Sequence, residues 1–290
     1  MPNLQLQQLL NLLFLLIIGY FTANIYLSWI ELFFILSFTV LLEQFLIFFK
    51  KNKLNYFSYS SSITAIGVIL MMISTQYWIY YIVIAFALLQ KHFLISKTQH
   101  MFNPSNFALI IALLFFYDEA HIVLGQLGDD VWLLYGVLFI GMVILWKVKR
   151  WVISIVFVLS YLGFQYLFIA SLDPLIIFED IYERFYSISF IVFILFMLTD
   201  PRTTPSKVCL QGFFAFFVAL MATVMDYLYG FRVQHLFMAL FVLSSFYGLF
   251  VRQNFFGAKD KTKRLILFVL VLSVILFIQN KEPYYFEMDG

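Results

Sequence analysis

The chain has 290 residues, of which 63% are apolar and only 12% are charged, and its mean hydropathy is +0.95. A soluble domain usually carries about 25% charged residues, so the composition excludes an ordinary soluble protein and indicates a multi-pass membrane protein. The single cysteine, Cys209, excludes an internal disulfide, and one thiol does not by itself build a zinc or iron–sulfur site.

Apolar runs separated by polar breaks predict an all-α helix bundle with 10–11 transmembrane helices. The runs cover residues 9–20, 26–49, 61–74, 78–93, 105–117, 131–146, 152–169, 185–198, 210–227, 233–251 and 265–278. Several runs are shorter than the roughly 20 residues that a span needs, so their exact ends stay open. The N-terminal segment lacks the basic region and cleavage site of a signal peptide, and it is expected to be a retained first helix.

The basic residues orient this bundle. If the N-terminus is cytoplasmic, the loops on that side contain most of the 18 basic residues, as the positive-inside rule requires. They are Lys50, Lys51, Lys53, Lys91, Lys97, Lys147, Lys149, Arg150, Arg202, Lys207, Arg252, Lys259, Lys261, Lys263 and Arg264. Most of the acidic residues fall on the opposite side. An error of one span would destroy this alternation, so the sequence predicts a cytoplasmic N-terminus.

Two polar, proline-containing breaks stand out, and both fall on the predicted cytoplasmic side. One is KHFLISKTQHMFNPSN at 91–106 and the other is TDPRTTPSK at 199–207. Asn103-Pro104 and Thr204-Pro205 are good helix starts, since Asn or Thr caps free amides and Pro is tolerated in the first turn. The run 105–117 is too short to cross a bilayer. Either this helix starts recessed below the cytoplasmic surface, with its positive dipole end in a low-dielectric cavity, or its flanks reach into the membrane. The alternative is that the two motifs only cap the starts of their spans.

Ionisable residues inside the predicted spans are further candidates. Glu43 lies within the second span, either neutralised near Lys50 and Lys51 or serving as a packing anchor or ion station. Asp226 and Arg232 flank a short outer loop and are expected to pair with each other. Lys91, His92 and His100 suit contacts to lipid phosphates or to a flavin ring better than a metal, because no carboxylate is near them in sequence. No catalytic triad, phosphate-binding glycine loop or metal motif is evident.

The same segments carry a family resemblance over roughly residues 10–251. LLEQFLIFFKKNK, KHFLISKTQHMFNPSNFAL and FILFMLTDPRTTP occur in that order. The chain thereby resembles the NqrB/RnfD family, membrane subunits of ion-pumping electron-transport complexes. The two most specific pieces are the NP motif, Asn103-Pro104, and the TDP motif, Thr199-Asp200-Pro201.

The resemblance implies an electron-transfer subunit that holds a flavin, riboflavin or FMN, near the cytoplasmic side and works with other membrane or soluble redox subunits. By position, it also implies that one set of residues lines the flavin site and that Glu43 belongs to an ion path. The implied flavin residues are Phe102, Asn103, Pro104, Asn106, Thr199, Asp200 and Thr203, with Lys91 and His100 beside them. The implied location is a bacterial inner membrane, and no nucleic-acid partner is expected.

One departure from the family limits this expectation. The family attaches FMN to a threonine in the outer loop that corresponds to 118–131, and here that loop contains neither Ser nor Thr. The flavin is therefore expected to be non-covalent. A family-like domain at 1–256 is expected to be followed by an additional helix and tail at 257–290. Two alternatives remain open: a transporter or channel for a small solute or ion on the same scaffold, and a scaffold subunit whose basic loop 252–264 docks a partner or anchors anionic lipid.

Overall fold

The computed structural model describes residues 2–22, 25–52, 58–96, 99–123, 131–170, 183–248 and 261–281. These ranges form eleven α-helices and little strand, which confirms the predicted all-α fold. The helices are α1 Pro2–Thr22, α2 Trp29–Lys51, α3 Tyr59–Ile69, α4 Trp78–Phe93, α5 Pro104–Phe115, α6 Val131–Val148, α7 Trp151–Gln165, α8 Ile188–Val192, α9 Val208–Tyr229, α10 Gln234–Phe246 and α11 Lys261–Lys281. A π-helical turn, Tyr166–Ala170, continues α7. A 3₁₀ turn, Glu183–Tyr186, precedes α8, and the π-helical turn Phe193–Met197 follows it.

The surface and the helix lengths define a multi-pass membrane protein. Within the described residues, four helical stretches are long and apolar enough to cross a bilayer: Leu4–Phe21, Trp29–Lys50, Trp151–Phe168 and Val208–Tyr229. Large apolar side chains are widely exposed on the outside, including Trp132 at 84% and Phe139 at 71%. An apolar surface of this extent suits contact with lipid chains rather than with water.

Two short antiparallel strand pairs tie helix ends together. Strand β1, Met72–Ser74, pairs with β4, Ala120–Ile122, and strand β2, Ile95–Ser96, pairs with β3, Gln99–His100. The expectation that one helix runs through 61–74 is wrong at its end, since α3 stops at Ile69. The backbone after it bonds across to the segment that follows α5, and the Ser74 hydroxyl donates to the Glu119 carbonyl at 2.9 Å.

Helices α3 and α5 are short and lie in the interior of the bundle. They have 11 and 12 residues, or roughly 17–18 Å at 1.5 Å per residue, against a hydrocarbon core of about 30 Å. Helix α5 packs against α3, α4, α10 and α11, and its residues from Pro104 to Leu113 are buried. Its N-terminal residues are thus inside the protein, as the short apolar run predicted.

One other expectation is wrong, and three more concern segments that lie at least partly outside the described residues. Thr204-Pro205 does not start a helix; α9 begins at Val208, because the Thr204 hydroxyl is used by the preceding loop. The ends of the outer loop 118–131 are described, but its residues 124–130 lie outside the described ranges. The domain boundary at 256/257 and residues 252–260 of the basic loop lie outside them as well.

Candidate functional site

The two polar breaks meet at the start of α5. Asn103 caps this helix, with its side-chain Oδ1 accepting from the backbone amide of Asn106 at 3.1 Å and Pro104 in the first turn. The Nδ2 of the same side chain donates to Oδ2 of Asp200 at 3.3 Å. The NP and TDP motifs are therefore joined directly, although 97 residues separate these two side chains in sequence.

Residues 199–204, here called the TDP loop, fold around Asp200. The Asp200 carbonyl accepts from the backbone amides of Thr203 and Thr204, both at 3.1 Å, and from the Thr204 hydroxyl at 2.7 Å. The Oδ1 of Asp200 accepts from the Arg202 amide at 2.9 Å, the pattern of an Asx turn. This loop closes on itself and fixes the Asp200 carboxylate beside the start of α5.

A cavity of about 850 Å³ lies against this junction. Its walls come from α1, α3, the start of α5, the end of α6 and the segment from the π-turn after α8 into the TDP loop. One part of the lining is apolar, with Ile63, Leu195 and Phe196, and another part carries the amide side chains of α1, which are Gln5, Gln7 and Gln8. A mixed apolar and amide lining of this size suits an organic molecule with both an apolar and a polar edge.

The cavity is basic. Lys147, Arg150 and Arg202 line it, whereas Asp200 is the single acid among the described lining residues. Nη1 of Arg202 lies 3.2 Å from Nε2 of His100, and Nε of Arg150 donates to the Thr204 hydroxyl at 3.2 Å. Burial, followed by the positive charge of Arg202, lowers the pKa of His100 to about 3, so this imidazole is neutral at pH 7. The electrostatics of the site favour an anionic ligand.

The sequence predicts nine residues for this site, and the structure places five of them in the cavity lining and four elsewhere. Asn103, Pro104, Thr199, Asp200 and His100 line the cavity. The remaining four, Phe102, Asn106, Thr203 and Lys91, are absent from its lining.

Each of these four residues has a definite place elsewhere. Phe102 is fully buried and stacks on Phe241 at 4.6 Å between ring centroids. Asn106 is buried behind the cap, and Thr203 bonds within the TDP loop. Lys91 belongs to a separate ion cluster.

That ion cluster is centred on Glu43. Its Oε1 accepts from Nζ of Lys91 at 2.6 Å and from the Ser58 hydroxyl at 3.2 Å, and its Oε2 lies 3.0 Å from Nε2 of His92. Glu43 and Lys91 are both buried. Lys50, one of the two lysines near Glu43 in sequence, donates through Nζ to the His92 carbonyl at 3.0 Å. Glu43 thus bridges α2 and α4.

A second buried polar cluster surrounds Asp226, toward the end of α9. Its Oδ1 lies 2.7 Å from Nδ1 of His235, and its Oδ2 accepts from Nε2 of Gln165 at 2.7 Å and from the Tyr161 hydroxyl at 3.5 Å. Arg232 approaches through its backbone amide, which donates to Oδ1 at 3.2 Å. The expected contact between Asp226 and Arg232 is thus seen at the Arg232 backbone amide, and the His235 imidazole lies against the same carboxylate.

Sequence reasoning missed several residues of these sites. The glutamines of α1 appear in the sequence as QLQQ within an apolar run, a pattern that signals a polar helix face. The sequence places Lys147 and Arg150 in a predicted cytoplasmic loop and does not indicate that they line a cavity. Gln165 and His235 both contact the Asp226 carboxylate from different helices, and nothing in their local sequence indicates this.

Comparison with known proteins adds no family assignment. No protein-family model matches the chain, and no curated protein matches it. The fold and site therefore define a class, a multi-pass all-α membrane protein with a basic cavity. The likeness to NqrB/RnfD subunits depends on the motifs in the sequence.

Proposed function

We propose that this protein is a membrane subunit of an electron-transfer complex and that it binds a flavin non-covalently in the cavity. The observation that carries the proposal is the position of that cavity. It lies where the NP and TDP motifs meet, and these are the two motifs on which the family resemblance depends. The N-terminus, the cavity and the TDP loop are then on the cytoplasmic side of a bacterial inner membrane.

The lining fits a flavin in size and in chemistry. About 850 Å³ is within the range of roughly 300–1,000 Å³ of small-molecule sites. A flavin ring has an apolar dimethylbenzene edge and a pyrimidine edge with carbonyl and N–H groups. Ile63, Leu195 and Phe196 offer apolar surface to the first edge, and amides such as those of Gln5 and Gln8 can both donate to and accept from the second.

The chain's own contribution is binding and electrostatics. A bound flavin supplies the redox chemistry, whereas the protein orients it and tunes its surroundings. The positive end of the α5 dipole and the Arg202 guanidinium favour negative charge in the cavity. The Asn103–Asp200 hydrogen bond holds the start of α5 against the TDP loop.

An electron-transfer role requires partner subunits. A single flavin cannot complete a redox circuit, so a donor and an acceptor must come from other membrane or soluble subunits. In this proposal Glu43, paired with Lys91 and His92, is the station of an ion path coupled to electron transfer. Glu43 is buried and bridges α2 and α4, which supports a role as a packing anchor equally well. The flavin proposal therefore does not depend on Glu43.

The absorption spectrum of protein purified in mild detergent tests the proposal. We expect flavin bands that are released into the supernatant on denaturation, because no covalent link is proposed. Asp200→Asn should lower the flavin content, whereas Asp118→Asn, at the other end of α5, should not. A folded wild-type protein that contains no flavin and takes none up would contradict the proposal.

A transporter for a small solute or ion is the second candidate. Helices α3 and α5 are short, end inside the bundle and are followed by extended strands. Discontinuous helices in transporters have the same features, and this favours the second candidate. Reconstituted vesicles discriminate the two. Solute or ion flux by flavin-free protein would favour the transporter, and redox-dependent activity that needs flavin would favour the electron-transfer subunit.

A further inference from the structure

One end of the cavity carries its fixed positive charge. Lys147 and Arg150 come from the C-terminal end of α6 and the residues just after it, and Arg202 comes from the TDP loop. Arg150 and the TDP loop are in direct contact, since Nε of Arg150 donates to the Thr204 hydroxyl. These three cations, here called the basic corner, thus lie on two adjoining segments of the cavity wall.

Cations outnumber acids among the described residues that line the cavity. Among the described lining residues, three fixed cations face one carboxylate, and both oxygens of that carboxylate already accept hydrogen bonds from Asn103 and Arg202. Lys147 donates to a neutral partner, Oε1 of Gln7, at 2.9 Å. The described lining thus carries an excess of two positive charges.

The chemistry of these cations selects a particular anion. Arginine offers planar, forked N–H donors that match the oxygens of a phosphate, and lysine contributes a compact point charge. The glutamines of the lining lie on α1, and Lys147 contacts this amide wall through Gln7. The basic corner therefore adjoins the polar part of the cavity.

We propose that the basic corner formed by Lys147, Arg150 and Arg202 binds the phosphate group of the cavity's ligand, which is therefore a phosphate ester. This inference rests on the proposed function where it names the ligand, since the flavin selected is then FMN and not riboflavin. A phospholipid headgroup has the same phosphate chemistry, and the experiment must separate the two sources.

Binding of FMN and riboflavin to the purified protein, stripped of bound ligand and followed by flavin fluorescence, tests the inference. A charge-assisted contact is worth enough to give FMN at least about a tenfold advantage over riboflavin. Lys147→Gln and Arg202→Gln should remove most of that advantage, because they weaken FMN binding much more than riboflavin binding. Lys149→Gln is the matched control, because it removes a nearby charge outside the cavity lining while keeping the Lys149 carbonyl that contacts Gln211.

A parallel arm measures binding of phosphatidic acid, with phosphatidylcholine as the control lipid, to the purified protein in detergent. Equal binding of FMN and riboflavin would overturn the phosphate inference and leave the flavin proposal standing. Binding of neither flavin, with phosphatidic acid bound in a way that depends on Lys147 and Arg202, would keep the phosphate inference and overturn the flavin proposal. Loss of riboflavin binding in Lys147→Gln would also contradict the inference, since the exposed lysine would then serve the ring and not the phosphate.

Discussion

Asn103 and Asp200 are linked side chain to side chain, with Nδ2 of the amide 3.3 Å from Oδ2 of the carboxylate. Asn103 also caps α5, and Asp200 also organises the TDP loop. The bond therefore joins a helix start to a loop, and the cavity lies against both. Any ligand in this cavity is positioned by a junction that neither motif could build alone.

The first prediction concerns this junction. Asn103→Ala removes the cap and the link to Asp200 together, and loss of such a cap typically costs about 1 kcal/mol. We expect Asn103→Ala to fold and to lose bound flavin. Asp200→Ala should lose flavin to a similar extent, and the double variant should add little. The flavin-to-protein ratio after gel filtration measures this, and full retention in both single variants would remove the site assignment.

The sequence predicted much of this arrangement, because its strongest signals are local. Apolar run lengths, the Asn103-Pro104 start and the placement of lysines and arginines each depend on neighbours in the chain. Helix α4 has the bounds 78–93 that its apolar run predicts. The shortness of α5 was likewise visible in the sequence.

The features that could not be predicted are all long-range. The pairing of β1 with β4 depends on backbone groups about 50 residues apart, and no local preference specifies it. Glu43 has basic residues close by at the end of its own helix, yet its partners Lys91 and His92 come from α4. The α1 wall of the cavity, with Gln5, Gln7 and Gln8, follows from how helices pack.

The second prediction concerns the Glu43–Lys91 pair. Glu43→Gln leaves a buried ammonium without its counter-charge, and breaking such a pair typically costs about 3–5 kcal/mol. Replacing both residues, as Glu43→Gln with Lys91→Met, should cost less than the sum of the single changes. Unfolding in detergent with increasing denaturant measures these free energies.

Glu31→Gln provides the control for this pair, since Glu31 is on the same helix and caps its exposed N-terminus. Its replacement should cost only about 1 kcal/mol. If Glu43→Gln were no more destabilising than Glu31→Gln, Glu43 would not be the anchor that its contacts indicate.

The third prediction concerns pH and His100. In the folded protein burial and the charge of Arg202 lower the pKa of His100 to about 3, against 6.5 for an ordinary histidine. Between these values the unfolded chain binds a proton that the folded chain does not, so stability falls as pH drops below about 6.5. Thermal unfolding of wild type should show this loss between pH 6.5 and pH 3. His100→Gln should make the decline shallower, and an unchanged slope would contradict the assignment.

The fourth prediction concerns the close approach of α3 and α5. A Cβ added at Gly67 would lie 2.6 Å from Oγ of Ser105, whose hydroxyl donates to the Thr64 carbonyl. Gly67→Ala should therefore destabilise the protein by about 1–3 kcal/mol through overpacking. At Gly163 nothing lies within 4 Å, so Gly163→Ala should be neutral or stabilise by up to about 1 kcal/mol. Equal effects of the two substitutions on the melting temperature would refute the packing argument.

The cavity between the NP and TDP motifs is proposed to hold a non-covalent flavin. A flavin titration of ligand-stripped, folded protein in mild detergent tests this, with wild type and Asp200→Asn compared side by side. We expect saturable binding of one flavin per chain to wild type and a clearly weakened affinity in Asp200→Asn. Absence of saturable binding to folded wild-type protein, or identical affinity in the two proteins, would contradict the flavin proposal.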